Sequence, residues 1–241
     1  SSARSRRPRG APFGAGGAYE KIEGVLHFAV DPDARAHEPI ADLGLAPRNG
    51  RGFVESSADF YLLRPLAGSR RLLLDVPNRG RKIALGMFNS APRSNDPTTP
   101  EDFGNGFLMR HGYTVAWIGW QPDVPRRDGM MALDVPRVPG VSERLRCEFR
   151  PIARVDRLPL ADRYHVPHPV SRLDDPEAEL HVRDHGDAPA TTLPRSAWRF
   201  PAGSVTLDGG FEPGRIYDCY YRAENPPLVG LGLTAVRDFT Q

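Results

Sequence analysis

The sequence predicts an α/β fold, because two short apolar runs flank a segment that carries the signals of a helix. The apolar runs cover 72–76 and 113–120, and each ends at a proline-containing turn, as buried strands often do. Between them, Thr99 and Pro100 are typical of a helix start, and Gly112 is typical of a helix stop. We therefore expect a helix over about 100–111. Strand, helix and strand in this order indicate a crossover between parallel strands.

Strands are also expected before this crossover. Residues 23–31 are apolar on both faces, and 57–65 have a similar pattern, with a loop rich in Pro, Gly and Asn between them. We assign 19–125 to a β-rich entry followed by the βαβ part of the sheet. In an open parallel sheet, ligands bind beyond the carboxyl ends of the strands. The loops after 72–76 and 113–120 are therefore expected to face one pocket.

The pattern changes after residue 125. Short strand-like runs alternate with turn residues over 126–222, which predicts a β-rich insertion. In 223–241, Leu228, Leu231, Ala235 and Phe239 recur at the spacing of one helix face. No stop signal follows that pattern, so we expect 223–241 to be the start of an interrupted helix.

Composition excludes several classes of protein. The 32 basic and 30 acidic residues give a net charge of +2 and are scattered along the chain, which argues against a nucleic-acid-binding surface. No apolar run is long enough to span a membrane, so we expect a soluble protein, cytoplasmic or exported. Residues 1–18 are rich in Arg, Gly, Ala and Pro, which predicts a flexible basic leader.

A few residue types are scarce. Only Lys21 and Lys82 are lysines, and the excess of arginine could reflect ion pairs or coding bias. The two cysteines, Cys147 and Cys219, allow either one disulfide bond or two buried thiols. No cofactor motif is identified, and we expect no cofactor.

The segment Asn78-Arg79-Gly80 is the leading candidate for a functional loop. It follows the strand at 72–76 and combines an amide, a guanidinium and a flexible glycine. Main-chain N–H groups after such a strand can stabilise an oxyanion in acyl transfer. Trp120 and Gln121, at the end of the next strand, are the predicted substrate-binding residues. The alternative is that the Asn78–Gly80 segment only makes a turn and that Arg79 pairs with a carboxylate.

Two other kinds of site are less favoured. The segment around Ser142 reads GVSER, so it lacks the last glycine of the G-x-S-x-G motif of serine hydrolases. Four histidines occur in two pairs with spacings of three and four, but prolines interrupt the first pair and a strand-to-turn pattern contains the second. We therefore expect no metal site, although a metal-dependent enzyme using these histidines is a third hypothesis. The histidines are His165, His168, His181 and His185.

Four longer segments resemble a known family. They are ADFYLLRP, VPNRGRKIALGMFN, the run from NDPTTPEDFGNG to WIGWQPDVP, and FEPGRIYDCYYRAENPPLVGLGLTAVRDF. Together they are similar to the N-terminal part of bacterial alpha/beta-hydrolase domain-containing proteins, and the likeness extends from about residue 20 to 241. It implies the N-terminal portion of an α/β-hydrolase-type fold with a β-rich insertion, incomplete without a C-terminal half, whose final helix precedes the nucleophile strand.

The resemblance also implies an activity and a partner. It implies an esterase-like serine hydrolase whose Ser, His and acid all lie outside these 241 residues. The expected partner is a C-terminal catalytic half or a second polypeptide that carries the nucleophile, and the expected substrate is a small ester-like molecule. This chain would supply Asn78, Arg79 and Gly80 and the pocket wall of Trp120 and Gln121. The alternative is a non-catalytic binding or assembly subunit.

Overall fold

A mixed β-sheet organises the first part of the chain in the computed structural model, which describes residues 2–6, 13–127 and 129–241. The chain divides into one unit that extends to Pro136 and resumes at Pro227, and a second unit that covers Arg137–Pro226. The first unit contains six strands: β1 (Ser2–Arg6), β2 (Tyr19–Val30), β3 (Val54–Pro65), β4 (Arg71–Asp75), β5 (Tyr113–Ile118) and β6 (Leu133–Asp134). Its helices are α1 (Ala84–Asn89), α2 (Phe107–Arg110) and α3 (Leu231–Phe239).

The strand order of this sheet is β1-β2-β3-β5-β4, with β6 paired to β3. Strands β4 and β5 pair in parallel, as the sequence predicts, with Leu72 opposite Thr114. Strands β2 and β3 form a long antiparallel pair, and β5 is antiparallel to β3. On β3 the burial alternates along much of the strand, because successive side chains of a strand point to opposite faces of the sheet.

The prediction of an α/β fold is wrong. The described residues are 35% strand and 17% helix, and antiparallel pairing dominates, so the chain is mostly β and does not have the helix-rich α/β-hydrolase-type fold. The sequence pattern predicts the parallel pair β4 and β5, but the parallel arrangement does not continue into the rest of the described sheet. The remaining strands of the first unit pair in the antiparallel sense, which needs no covering helices.

The single helix predicted over 100–111 is also wrong. A 3₁₀ turn covers Pro100–Phe103, the chain then bends, and α2 follows. The start is as predicted, because Thr99 and Asp102 form a reciprocal capping box. The bend occurs where Gly104 and Gly106 have positive φ angles, of 53° and 68°. A helix cannot continue through that conformation, so it divides into two short pieces.

The helix predicted within 223–241 forms over Leu231–Phe239. Leu228 is buried, but it precedes the helix. Gly232 lies so close to the chain that follows β5 that a Cβ atom there would be 2.1 Å from the main-chain oxygen of Trp120. The helix therefore needs glycine at this position to pack against the end of β5.

The second unit has two antiparallel sheets. Its strands are β7 (Ser142–Phe149), β8 (Val155–Pro159), β9 (Glu179–Arg183), β10 (Thr191–Thr192), β11 (Trp198–Arg199), β12 (Ser204–Phe211) and β13 (Ile216–Glu224). One sheet has the order β10-β9-β13-β7 and the other β11-β12-β8. The core of this unit includes five buried aromatic side chains, with Trp198, Phe211 and Tyr217 among them.

The predicted leader, 1–18, is partly outside the described residues, which omit positions 1 and 7–12. Its described part contains β1, which pairs with β2, and a 3₁₀ turn at Gly14–Gly16. Phe13 packs against the rings of Tyr19 and Phe103, with centroids 5.6 and 5.1 Å away. Within the described ranges no helix combines the length and the apolar character that crossing a bilayer requires.

Candidate functional site

The segment Asn78–Gly80 forms a tight 3₁₀ turn directly after β4 and Pro77. Arg79 has a left-handed backbone with φ of 53°, and Gly80 also has a positive φ of 74°. Gly80 is buried, and a Cβ atom there would be 2.6 Å from the main-chain oxygen of Met131. A left-handed arginine is unusual for a residue with a Cβ atom, so the surrounding contacts must hold this turn in place.

Hydrogen bonds join this turn to the end of β5. The main-chain N–H of Arg79 donates to Oε1 of Gln121 at 2.8 Å, and Nε1 of Trp120 donates to the carbonyl oxygen of Pro77 at 2.8 Å. The structure thus brings together all five residues singled out from the sequence. They lie at the carboxyl ends of the parallel strands β4 and β5.

Arg79 is fixed by a partly buried ion pair. Its Nη1 is 2.7 Å from Oδ1 of Asp123, and its Nη2 donates to the main-chain oxygen of Asp123 at 2.9 Å. The side chain of Arg79 is 14% exposed. The alternative interpretation of this segment was a turn at Asn78–Gly80 with Arg79 paired to a carboxylate. The structure contains both the turn and the ion pair. Asn78, by contrast, is exposed.

Asp75, the last residue of β4, was not identified from the sequence. Its Oδ2 accepts hydrogen bonds from the main-chain N–H groups of Ile83 and Ala84, at 2.9 and 2.8 Å, and from Nε1 of Trp117 at 2.6 Å. The carboxylate therefore holds the start of α1 against β5. The two tryptophans near this site have different environments: Trp117 is fully buried and Trp120 is half-buried.

A second cluster lies around Tyr61, and the sequence analysis missed it. The ammonium groups of both lysines of the chain lie over its ring, with Lys82 Nζ 4.6 Å and Lys21 Nζ 5.0 Å from the centroid. The Tyr61 hydroxyl donates to the main-chain oxygen of Pro97 at 3.0 Å. Burial, followed by the charges of Asp96 and Glu23, raises the pKa of Tyr61 far above its ordinary value. The sequence contains one signal for this cluster, which is the scarcity of lysine in a chain so rich in arginine.

The two lysines have different partners. Lys21 pairs with Asp96 and, at 3.0 Å, with Glu23. Lys82 Nζ donates instead to the main-chain oxygens of Asn95 and Gly129, at 2.7 and 3.2 Å. Burial lowers the pKa of Lys82 from 10.5 to about 8, although Asp96, Glu23 and Asp59 act in the opposite direction. The neighbouring charge of Lys21 lowers it further.

Lys82 lines two cavities. One, of about 390 Å³, lies beside α1 and includes Leu85 and Met87 in its wall. The other, of about 470 Å³, is bounded by β2, β3 and the 129–131 segment, and its wall includes Glu23, Asp96 and Met131. The amine therefore lies at a place that small molecules can approach.

The histidines are not brought together. His165 Nδ1 is 2.6 Å from Asp162, and His181 Nε2 is 2.8 Å from Glu179. Over the described ranges, no group of three or more His, Cys, Asp or Glu side chains could hold a metal ion. Ser142 is an exposed residue at the start of β7, where it accepts a hydrogen bond from Arg222.

Both cysteines are free thiols, although Cys147 and Cys219 are paired residues on β7 and β13. Burial raises the pKa of Cys219 to about 12 and also raises that of Cys147. The uncharged thiol is thus the stable form of each, and neither has the depressed pKa of a nucleophilic cysteine.

Comparisons of this chain with protein-family models, with curated proteins and with solved structures found no match. The resemblance to a hydrolase family therefore stays a prediction from the sequence.

Proposed function

We propose that this chain contributes an oxygen-binding loop and one wall to a site that cleaves ester-like bonds, with the nucleophilic serine on a different polypeptide segment. The observation that carries this proposal is a pair of hydrogen bonds that joins the turn to the end of β5: the N–H of Arg79 donates to Gln121, and Nε1 of Trp120 donates to the oxygen of Pro77, the residue before the turn. These hydrogen bonds lie at the carboxyl ends of the parallel strands β4 and β5, which is the usual place for a ligand in such a sheet. The sequence contains no G-x-S-x-G motif, so this proposal assigns the nucleophile to a partner.

Asn78 is the residue best suited to bind the oxygen. In acyl transfer the carbonyl oxygen becomes negatively charged, and fixed hydrogen-bond donors stabilise that charge. The N–H of Arg79 already donates to Gln121, and its guanidinium is engaged by Asp123. Asn78 is exposed, and the Nδ2 group of its carboxamide can donate to a substrate. Arg79 is then a positioning residue that holds the turn.

The uncovered edge of β4 supports the presence of a partner. In the described part of the sheet, β4 has a neighbour, β5, on one side only. Leu72 and Val76 are 53% and 40% exposed at this edge. Met87 and Phe88, on α1, are also exposed. A strand edge with exposed apolar side chains is a surface for pairing with another strand.

The test begins with the complete assembly isolated from its source. Denaturing intact-mass analysis should find a companion polypeptide in equal amount, and a serine-directed phosphonate should label the companion. In that assembly Asn78→Ala should lower kcat about 10²- to 10³-fold, as the loss of one oxyanion donor does, with a smaller change in KM. Asn105→Ala, which removes an exposed amide from another loop of the same unit together with the hydrogen bond that it accepts from the N–H of Phe107, is the control and should retain turnover.

Wild-type turnover by Asn78→Ala would remove this loop from the mechanism. A further expectation is that Arg79→Ala lowers turnover as well, because it removes the ion pair with Asp123 that fixes the turn. The uncovered edge of β4 equally favours a binding or assembly subunit without catalysis. That second function would be indicated by a companion that no serine-directed phosphonate labels.

A further inference from the structure

We propose that Lys82 is a reactive amine site that takes up small uncharged aldehydes or ketones as imines. The amine and its cavity involve other side chains than those of Asn78 and Arg79, and the inference does not depend on the proposed hydrolase function. Two observations on the geometry support it, the partners of the amine and its access to a cavity, and the desolvation of the amine acts in the same direction.

The partners of Lys82 leave its amine able to lose a proton. Within the described ranges, its hydrogen-bond acceptors are two neutral carbonyl oxygens, of Asn95 and Gly129. Lys21, over the same tyrosine ring, is paired with the carboxylates of Asp96 and Glu23. A carboxylate at contact distance favours the ammonium form, whereas a carbonyl oxygen accepts from either form of the amine. The two lysines therefore form a natural comparison within one cluster.

Access to Lys82 is through the larger cavity. The residue is only 9% exposed, yet it forms part of the wall of the 470 Å³ space. Apolar wall residues, including Val25, Phe60 and Met130, suit the hydrocarbon part of a small carbonyl compound. Among the described residues that line this cavity, the acidic ones are Glu23, Asp59 and Asp96, so an anionic ligand is disfavoured and an uncharged one is accepted.

The charged groups around the amine set its protonation. Lys21 opposes a positive charge on Lys82, while Asp96, Glu23 and Asp59 favour it, and desolvation is larger than any of these. The resulting pKa of about 8 leaves about half of the amine uncharged at pH 8, whereas an ordinary lysine is less than about 1% uncharged there. Desolvated lysines with a cationic neighbour are the usual amine nucleophiles of enzymes.

The reaction balances with water as the only other product. The lone pair of Nζ forms a bond to the carbonyl carbon while the π electrons move to oxygen, which gives a carbinolamine. The carbon–oxygen bond then breaks, and the oxygen leaves as water with the two protons lost by Nζ. The carbon–nitrogen double bond that remains is the imine, and no oxidant or reductant is needed.

Propionaldehyde with sodium cyanoborohydride tests the proposal, because the reductant converts each imine into a stable propyl amine. The wild-type chain is treated at pH 8 beside a short unstructured peptide that contains one lysine, and peptide mapping assigns the label to Lys82, Lys21 or the terminal amine. We expect Lys82 to be labelled at least tenfold faster than Lys21 and faster than the peptide lysine. Lys82→Arg should abolish label at this position and leave the rest unchanged.

Two bulky substitutions test the route. Val25→Trp fills the larger cavity and should slow labelling of Lys82 at least fivefold, whereas Met87→Trp, in the wall of the smaller cavity, should leave it unchanged. Equal labelling of the two lysines, or labelling of Lys82 only after unfolding in urea, would overturn the proposal. The wild-type comparison decides this even if a variant does not fold. Loss of hydrolase activity in the Asn78 experiment would leave this result unaffected.

Discussion

At the residue scale, the burial of Lys82 makes the free energy of unfolding depend on pH. Comparison with Lys82→Met separates this contribution from those of the other titratable groups. The folded chain releases this proton near pH 8, whereas an unfolded chain holds it to about pH 10.5. Between those values the unfolded state binds more protons, so the free energy of unfolding rises with pH. We expect the stability of the wild type relative to Lys82→Met to rise by about 2 kcal/mol between pH 7 and pH 9.5.

Urea titrations at several pH values measure this difference. Cys219 acts in the opposite direction, because its raised pKa of about 12 makes the unfolded state lose its proton first as the pH rises. Since both chains contain Cys219, its effect cancels in the comparison. A difference in stability that does not change with pH would show that Lys82 titrates as an ordinary lysine.

At the element scale, the bend between Pro100–Phe103 and α2 depends on a close approach at Gly104. A Cβ atom there would lie 2.3 Å from the main-chain oxygen of Asn89, and the φ angle is 53°. Gly112 has a similar φ of 70° but open space around its Cβ position. We expect Gly104→Ala to lower the free energy of unfolding by about 3 kcal/mol and Gly112→Ala by about 1 kcal/mol, measured by urea titration.

Equal losses of stability in the two variants would mean that backbone strain alone determines the cost.

The same pair of glycines shows what the sequence can and cannot predict. Thr99, Pro100 and Gly112 act on their own neighbours in the chain, so the start and end of this segment were predictable. The approach of Asn89 to Gly104 brings together residues from two elements, and no local pattern contains it.

The candidate site also contains features that the sequence predicts and features that it does not. The turn after β4 could be predicted, because Pro77 ends the strand and Gly80 permits a positive φ. The contacts of Asp75 with Ile83 and Trp117 could not, because they depend on how α1 packs against β5. A buried cluster such as Lys82 with Tyr61 is also a product of packing, and the sequence shows only that lysine is scarce.

At the scale of the whole molecule, the fold class was predicted wrongly because it too depends on contacts between residues that are distant in the chain. Apolar runs identify strands, but the pairing partners of β2 and β3 are set by long-range register that single runs do not specify. Over 126–222 the turn residues recur at short intervals, which predicts a β-rich insertion, and the strands of the second unit form two antiparallel sheets. Even in this unit only β9–β10 and β11–β12 join successive strands, so the pairing of β13 with β7 and β9 also depends on contacts between residues far apart in the chain.

The second unit, Arg137–Pro226, is expected to fold by itself. Its core consists of its own residues, and its central strand β13 pairs with β7 and β9 of the same unit. Its ends are close together, because the N–H of Val138 donates to the oxygen of Pro226 at 2.9 Å. The segment is also well above the roughly 40 residues below which a domain usually needs disulfide bonds or metals.

Expression of 137–226 alone should therefore give one cooperative unfolding transition by near-ultraviolet circular dichroism. Trp198, its only tryptophan, is buried and should emit at the short wavelength of an apolar environment until that transition. Leu180→Ala creates a cavity at a fully buried position and should lower the free energy of unfolding by about 3 kcal/mol in the isolated segment and in the full chain alike. A broad transition with solvent-like Trp198 emission would show instead that this unit depends on the rest of the chain.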